Sequence, residues 1–165
     1  MKGEEPMFKT IMWATDGTKN ADLALPYARA LAQQEGATLV IAHVVERYAS
    51  HKASGLAVHA DEEQVEAKLK KLATELSHEG IDTNLKIVSH VGPQPAHEIA
   101  DIAKEAGADL IVVGYRGHAA ISGLMIGSVT QRLLHVSRCP VLVVPPTEVP
   151  AAQRAEHEVA HAADG

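Results

Sequence analysis

A three-layer α/β fold with a parallel sheet is predicted by three features of this 165-residue sequence. Short apolar runs, F-K-T-I-M-W-A, T-L-V-I-A-H-V-V, D-L-I-V-V and V-L-V-V, together with an alternating stretch at 82–90, read as strands. Between them lie segments whose apolar residues recur at helical spacing, so the order is β-α-β-α-β-α-β-α-β. Helical crossovers force parallel strands and place helices on both faces of the sheet. Ligands of such sheets bind beyond the carboxyl ends of the strands, where strand order reverses. The exits of the first strand at Thr15 and Asp16 and of the fourth at Gly114 are therefore expected to flank one cleft.

The first strand ends near Ala14, and 15–18, T-D-G-T, supplies turn and N-cap chemistry. Leu23, Tyr27, Ala30 and Leu31 follow at i, i+4, i+7 and i+8, predicting one helix face, with Pro26 bending the helix locally. Gly36 stops that helix. The second strand, 38–45, is apolar on both faces, as a central parallel strand should be. His43 within it is expected to be a satisfied interior histidine rather than a catalytic one, because no carboxylate stands at useful spacing.

Residues 46–60 are mixed in character and predict a loop, either lid or spacer. The next helix, about 61–78, places Val65, Leu69, Leu72, Ala73 and Leu76 on one face and its charges on the other. Gly80 ends it, and 82–90 alternates Leu85 and Ile87 against Asn84 and Lys86 in the manner of an edge strand. After G-P-Q-P, a third helix carries Ile99, Ile102, Ala103 and Ala106. The fourth strand follows at 110–113, then a helix marked by Val129, Leu133 and Val136, and Pro140 introduces the last strand, 141–144. One domain over 7–145 is expected, with a loosely ordered Ala-rich tail over 146–165. In that tail His157 and His161 stand at i, i+4, two thirds of a metal site without a third ligand nearby.

Composition narrows the function. A net charge of −6 and an aromatic fraction of 3% argue against nucleic-acid and anionic-membrane partners, which call for basic faces and stacking platforms. The single cysteine, Cys139, permits no internal disulfide and reads as a small buried apolar residue in a reducing compartment. With no secretory apolar region and no membrane-length apolar run, a cytoplasmic location is expected.

Against this acidic background, 110–147 contains no Asp or Glu but holds Arg116, Arg132 and Arg138. Within it a buried strand stops at Gly114, glycines recur at Gly117, Gly123 and Gly127, and Ser128 opens a helix. Glycines admit close backbone approach, and a helix start offers unpaired N–H groups to an anion. The G-x-G-x-x-G and G-x-x-x-x-G-K-[ST] motifs are both absent. A tight structural loop without ligand is the alternative for these glycines, and a helix N-cap is the alternative for Asp16.

The spacing Gly114-x2-Gly117-x9-Gly127-Ser128 resembles that of the universal stress protein family, whose ATP-binding members carry G-x2-G-x9-G-[ST] in this position. A-T-D-G after the first strand, A-H-V-V, V-G-P and S-R-C-P-V-L-V-V resemble the family as well. The resemblance implies a Rossmann-like fold of the adenine nucleotide alpha hydrolase type, with a five-stranded parallel sheet of order 3-2-1-4-5 and four helices. It also implies roles for particular residues. Asp16 would accept from the ribose, with Ala14 and Thr15 lining that wall. Val44 would meet the adenine through its backbone, with Val113 nearby, and Gly114 and Gly117 would pass under the ribose and first phosphates. Gly127, Ser128 and Val129 would hold the terminal phosphates, with Arg116 in reach.

The ligand implied is ATP, alone or with Mg²⁺. The assembly implied is a C2 homodimer through Val141, Leu142, Val143 and Val144, with a further protein partner left unidentified. Catalysis is expected to be slow or absent. A partner-dependent ATP hydrolase or phosphotransferase, and a binder of AMP or cyclic AMP, stay open as alternatives, with Asp16, Arg116 and His118 the only groups near the phosphates.

Overall fold

The computed structural model describes residues 5–49, 56–57, 61–92, 94–116 and 126–146. They form β1 (Thr10–Thr15), α1 (Lys19–Asp22), α2 (Leu25–Glu35), β2 (Thr38–Ala49), β3 (Leu56–Ala57), α3 (Glu62–His78), β4 (Thr83–Val91), α4 (Pro95–Ala106), β5 (Leu110–Gly114), α5 (Ser128–Val136) and β6 (Val141–Val144). The strands β4, β2, β1, β5 and β6 lie side by side in that order, and every pairing among them is parallel. Numbered among themselves along the chain, these strands run 3-2-1-4-5, the predicted order.

Alternation along β1 divides the core in two, because successive strand side chains leave opposite faces of the sheet. Ile11 and Trp13 join Leu39, Ile41 and Val112 beneath Ala24, which precedes α2, Ala28 and Ala32 of α2, and Leu69 and Leu76 of α3. Met12 and Ala14 join Val40, Ala42, Ile111 and Val113 beneath Ile99, Ile102 and Ala103 of α4 and Leu133 of α5. At the entry to β1, Asp109 Oδ2 accepts from the backbone N–H of Lys9 (2.7 Å) and Thr10 (3.0 Å), which fixes the register of β1 against β5.

The first predicted helix is broken. Leu23 and Ala24 separate α1 from α2, and Pro26 falls in the first turn of α2, where its missing N–H costs no hydrogen bond. The predicted buried face is also displaced. Ala21, Ala24, Ala28 and Ala32 face inward, while Tyr27 is exposed. The cause lies below: the fully buried Trp13 fills the space under this helix, so only methyl-sized side chains fit above it, and its indole N–H donates to the Ala21 carbonyl at 3.2 Å.

Two more expectations change. The second strand does not stop at Val45 but runs on to Ala49, pairing with β4 as far as Arg47 and antiparallel with β3 through Tyr48 and Ala49. The first residues of the predicted loop are thus strand, and 50–55 and 58–60 lie outside the described residues. In α5, Thr130 and Leu133 are buried while Val129 is partly exposed, so Val129 is not a core position. The edge character of 82–90 holds, since β4 pairs with β2 and its exposure alternates. Cys139 is part-buried and packs against the α4–α5 side of the core. Residues 147–165, with His157 and His161, lie outside the described residues.

Trp13 is the chain's only tryptophan and sits in the fully buried centre of the fold. Trp13→Phe is expected to lower the unfolding free energy by about 1–3 kcal/mol, through lost volume and the lost indole hydrogen bond to the Ala21 carbonyl. Urea denaturation followed by circular dichroism measures the change, and wild-type stability would contradict the account of why α2 presents alanines.

Candidate functional site

The carboxyl ends of β1 and β5, with residues 43–46 of the longer β2 beside them, open into a cleft of about 250 Å³. One wall is Ala14, Thr15 and Asp16 from β1 and the turn after it, with Val44, His43 and Glu46 from β2. The other is Val113, Gly114 and Arg116 from the end of β5, with Gly127, Ser128, Val129 and Thr130 from the start of α5. Pro95 and Ile99 of α4 and Glu62 of α3 complete the lining. Every residue the sequence nominates therefore lies on this cleft, except Gly117, which is outside the described residues together with His118 and Gly123.

The turn after β1 is tied by its own side chains. Asp16 Oδ1 accepts from Thr18 N–H (3.0 Å) and from the Thr18 hydroxyl (2.6 Å), and Thr15 Oγ1 accepts from Gly17 N–H (3.0 Å). Thr18, not Asp16, is the N-cap of α1: its hydroxyl oxygen accepts from Ala21 N–H at 3.3 Å. Asp16 is therefore not the N-cap of α1. Oδ1 supports the capping threonine, and Oδ2 has no hydrogen bond among the described residues.

The opposite wall is stitched to the strand ends. Tyr115 N–H donates to the Val144 carbonyl (2.8 Å), Gly127 N–H to the Tyr115 carbonyl (2.8 Å), and the buried Thr130 hydroxyl to the Gly114 carbonyl (3.0 Å). The two ends of the glycine loop are thus joined, and α5 starts against the end of β5. Its first intrahelical bond is Gln131 N–H to Gly127 O (2.8 Å), so the amides of Ser128, Val129 and Thr130 have no partner within the helix. No acidic residue stands in that first turn. Arg116 lies over the Tyr115 ring, 5.9 Å from its centroid.

Gly114 has a packing reason to be glycine. A Cβ there would stand 2.8 Å from the Asn20 carbonyl oxygen and 3.2 Å from Ala21 Cα, backbone atoms of α1 that have no rotamer by which to yield. The glycine lets α1 close down on the end of β5.

The cleft is electrostatically two-ended. Asp16, Glu46 and Glu62 stand at the β1–β2 side, while the α5 side offers Arg116 and helix N–H groups. Such a cleft suits a ligand with hydroxyl or amine donors at one end and an anion at the other.

His43 is the satisfied interior histidine expected, with a partner on each ring nitrogen. It is buried as predicted, but it has a carboxylate partner: Nε2 lies 2.5 Å from Glu62 Oε1, and Nδ1 lies 2.9 Å from the Thr15 carbonyl oxygen. Glu62 stands 19 residues away in the chain, so the pair is made by docking of α3 and not by local spacing. Sequence reasoning also missed Glu46, which became legible only when β2 proved longer than its apolar run. Thr130 was missed because it reads as an ordinary helical residue.

Comparison with known proteins places this geometry among relatives. A model of the universal stress protein family matches residues 7–145. The universal stress protein Sll1654 of Synechocystis is 36% identical over 143 residues, covering 84% of this chain and 87% of the relative. Among solved structures, MJ0577, a universal stress protein of Methanocaldococcus jannaschii, superposes with a TM-score of 0.59 at 26% identity, covering 87% of this chain and 99% of that one. A universal stress protein in complex with cAMP superposes with a TM-score of 0.58 at 27% identity, covering 83% and 96%.

Gly114→Ala tests the packing of α1 on the cleft floor. A forced shift of backbone should cost about 1–3 kcal/mol, or roughly 3–9 °C in melting temperature. A differential scanning calorimetry trace matching the wild type would mean that the glycine is needed for something other than this contact.

Proposed function

Because the chain belongs to the universal stress protein family, we propose that the cleft binds ATP and that the protein is a nucleotide-dependent regulator of the stress-response class. The observation that carries this reading is the placement, across one cleft, of the Asp16 carboxylate opposite the start of α5, where the amides of Ser128, Val129 and Thr130 have no partner within the helix. A nucleoside triphosphate has matching ends. Its ribose hydroxyls would donate to Asp16 Oδ2, the base would lie along the Val44 and Val113 backbone, and the phosphates would take the unpaired amides of α5 and the Ser128 hydroxyl. Gly114-x2-Gly117-x9-Gly127-Ser128 supports the triphosphate in particular, since it is the spacing of the family's ATP-binding members.

A second reading has a specific observation behind it. The relative solved with cAMP supports an adenine nucleotide with fewer phosphates as an alternative occupant of the same cleft. In either case Mg²⁺ would be held chiefly by phosphate oxygens. Among the described residues no three His, Cys, Asp or Glu side chains converge as a metal site.

Hydrolysis is proposed to be slow or absent. Attack on a terminal phosphate needs a base or water-orienting group beside it, and Arg116, the charged side chain of that wall among the described residues, cannot act as a base. Assembly is proposed to be a C2 homodimer through β6, whose described pairing is with β5 alone and whose Val141, Leu142 and Val143 are only partly covered. The proposed location is the cytoplasm. Among the described residues no helix is long and apolar enough to cross a membrane.

Denaturing mass spectrometry of the purified protein identifies any retained nucleotide. ATP at 100 times its dissociation constant should stabilise the fold by about 2.7 kcal/mol, and Gly127→Val, which puts a branched side chain at the mouth of α5, should remove that gain. No retained nucleotide and no melting shift in millimolar ATP would sink the ATP reading. A larger shift with cAMP than with ATP would favour the second.

Light scattering tests assembly separately. Val141→Lys together with Val143→Lys is expected to convert a dimer to a folded monomer, and a wild type that is already monomeric would contradict pairing through β6.

A further inference from the structure

Three residues of α3 grip the turn that carries Asp16. Glu62, Val65 and Lys68 stand at i, i+3 and i+6 along one stripe of the helix. Glu62 reaches the turn through His43: Oε1 to Nε2 at 2.5 Å, then Nδ1 to the Thr15 carbonyl at 2.9 Å. The γ-methyls of Val65 fill the space in front of Gly17, where a Cβ would meet them at 2.6 and 2.7 Å, and Gly17 has the left-handed φ of +81°. Lys68 Nζ lies 3.4 Å from the Gly17 carbonyl and pairs with Asp22 of α1.

The Thr15 carbonyl can only accept, so Nδ1 carries a proton, and a 2.5 Å contact between Nε2 and a carboxylate oxygen requires a second proton between them. Imidazole and carboxylate together are then neutral, the state in which such a pair tolerates side-chain exposures of only 3% and 12%. Yet a buried ion pair is a poor way to hold a helix, since well-packed apolar residues of similar volume do so equally well or better. What an apolar pair cannot do is aim the Thr15 carbonyl.

We propose that Glu62 and His43 are positioning residues for the cleft: by fixing the Thr15 carbonyl they set the direction of Asp16, so that docking of α3 and affinity for the ligand at Asp16 are linked. The proposal rests on the nucleotide reading of the cleft. It assigns no contact with the ligand to either residue. The ligand senses them through the peptide between Thr15 and Asp16.

The test is isothermal titration with ATP at a temperature well below the melting point, on wild type, Glu62→Met, Glu62→Gln and Lys68→Ala. Glu62→Met keeps the packing volume and leaves Nε2 unpaired. It is expected to melt within a few degrees of wild type but to bind ATP about tenfold more weakly. In Glu62→Gln the amide N–H donates to Nε2 of a neutral imidazole that still holds the Thr15 carbonyl, so most of the affinity should return. Lys68→Ala trims a side chain 44% exposed and leaves the core alone; about a twofold loss is expected. Nitrogen NMR of the His43 ring adds a readout that packing alone would not move, with Nδ1 protonated in the wild type and in Glu62→Gln alike.

Wild-type affinity in both Glu62→Met and Lys68→Ala would overturn the coupling and leave the ATP reading standing. Absence of binding by the wild type would overturn the ATP reading and this inference with it. A bare Nδ1 in the wild type would remove the link to the Thr15 carbonyl through which Glu62 is proposed to act.

Discussion

Everything at the functional end of this molecule follows from the burial of β1. The strand has hydrogen-bonded neighbours on both sides, β2 and β5, and a helical layer on each face. Its residues 11–15 are all buried. A central parallel strand of this kind cannot end in the interior without leaving backbone groups unpaired, so its exit must be closed by side chains. Thr15, Asp16 and Thr18 do that closing, with Gly17 supplying the one backbone conformation that lets the chain turn straight into α1. The cleft exists because three strand ends and their closures must sit side by side at the carboxyl edge of the sheet.

How far this was legible from residues alone depended on the kind of signal. Long-range order came through well. Continuous apolar runs marked the buried strands, alternation marked β4 as an edge, and helical spacing between them fixed parallel crossovers, which together with the family resemblance specify the strand order. The face of α2 did not come through, because periodicity was weighed by side-chain size. Leu23, Tyr27 and Leu31 repeat at the same interval as Ala24, Ala28 and Ala32, one residue on. Only the bulk of Trp13 below decides between the two stripes, and that bulk belongs to another element.

The candidate site divided along the same line. Residues at strand ends and helix starts were recognisable, since the fold class says that ligands gather there. Residues delivered by docking were not. Glu62 reads as one charge among many on a solvated helix, and nothing near His43 in the chain suggests a partner. Glu46 was hidden by a boundary, because the apolar run ends at Val45 while the strand continues to Ala49. The carboxylate side of the cleft was thus largely invisible in sequence, whereas the acid-free side announced itself as a stretch without a single Asp or Glu.

That asymmetry bears on how an acidic protein would handle the anionic ligand proposed for the cleft. Long-range attraction is unavailable at a net charge of −6, so the work falls to short-range donors, and the wall at α5 offers backbone amides and one arginine rather than a lysine cluster. Backbone donors hold their direction without side-chain entropy, which favours geometry over charge as the source of selectivity. The opposite wall then carries the corresponding burden. Asp16 has one oxygen committed to Thr18 and one directed elsewhere, and an acceptor so constrained discriminates only if its backbone is held still. Bonds local to the turn restrain the side chain but not the peptide that bears it. The grip of α3, through Val65 on Gly17 and through His43 on Thr15, supplies that second restraint from outside the turn.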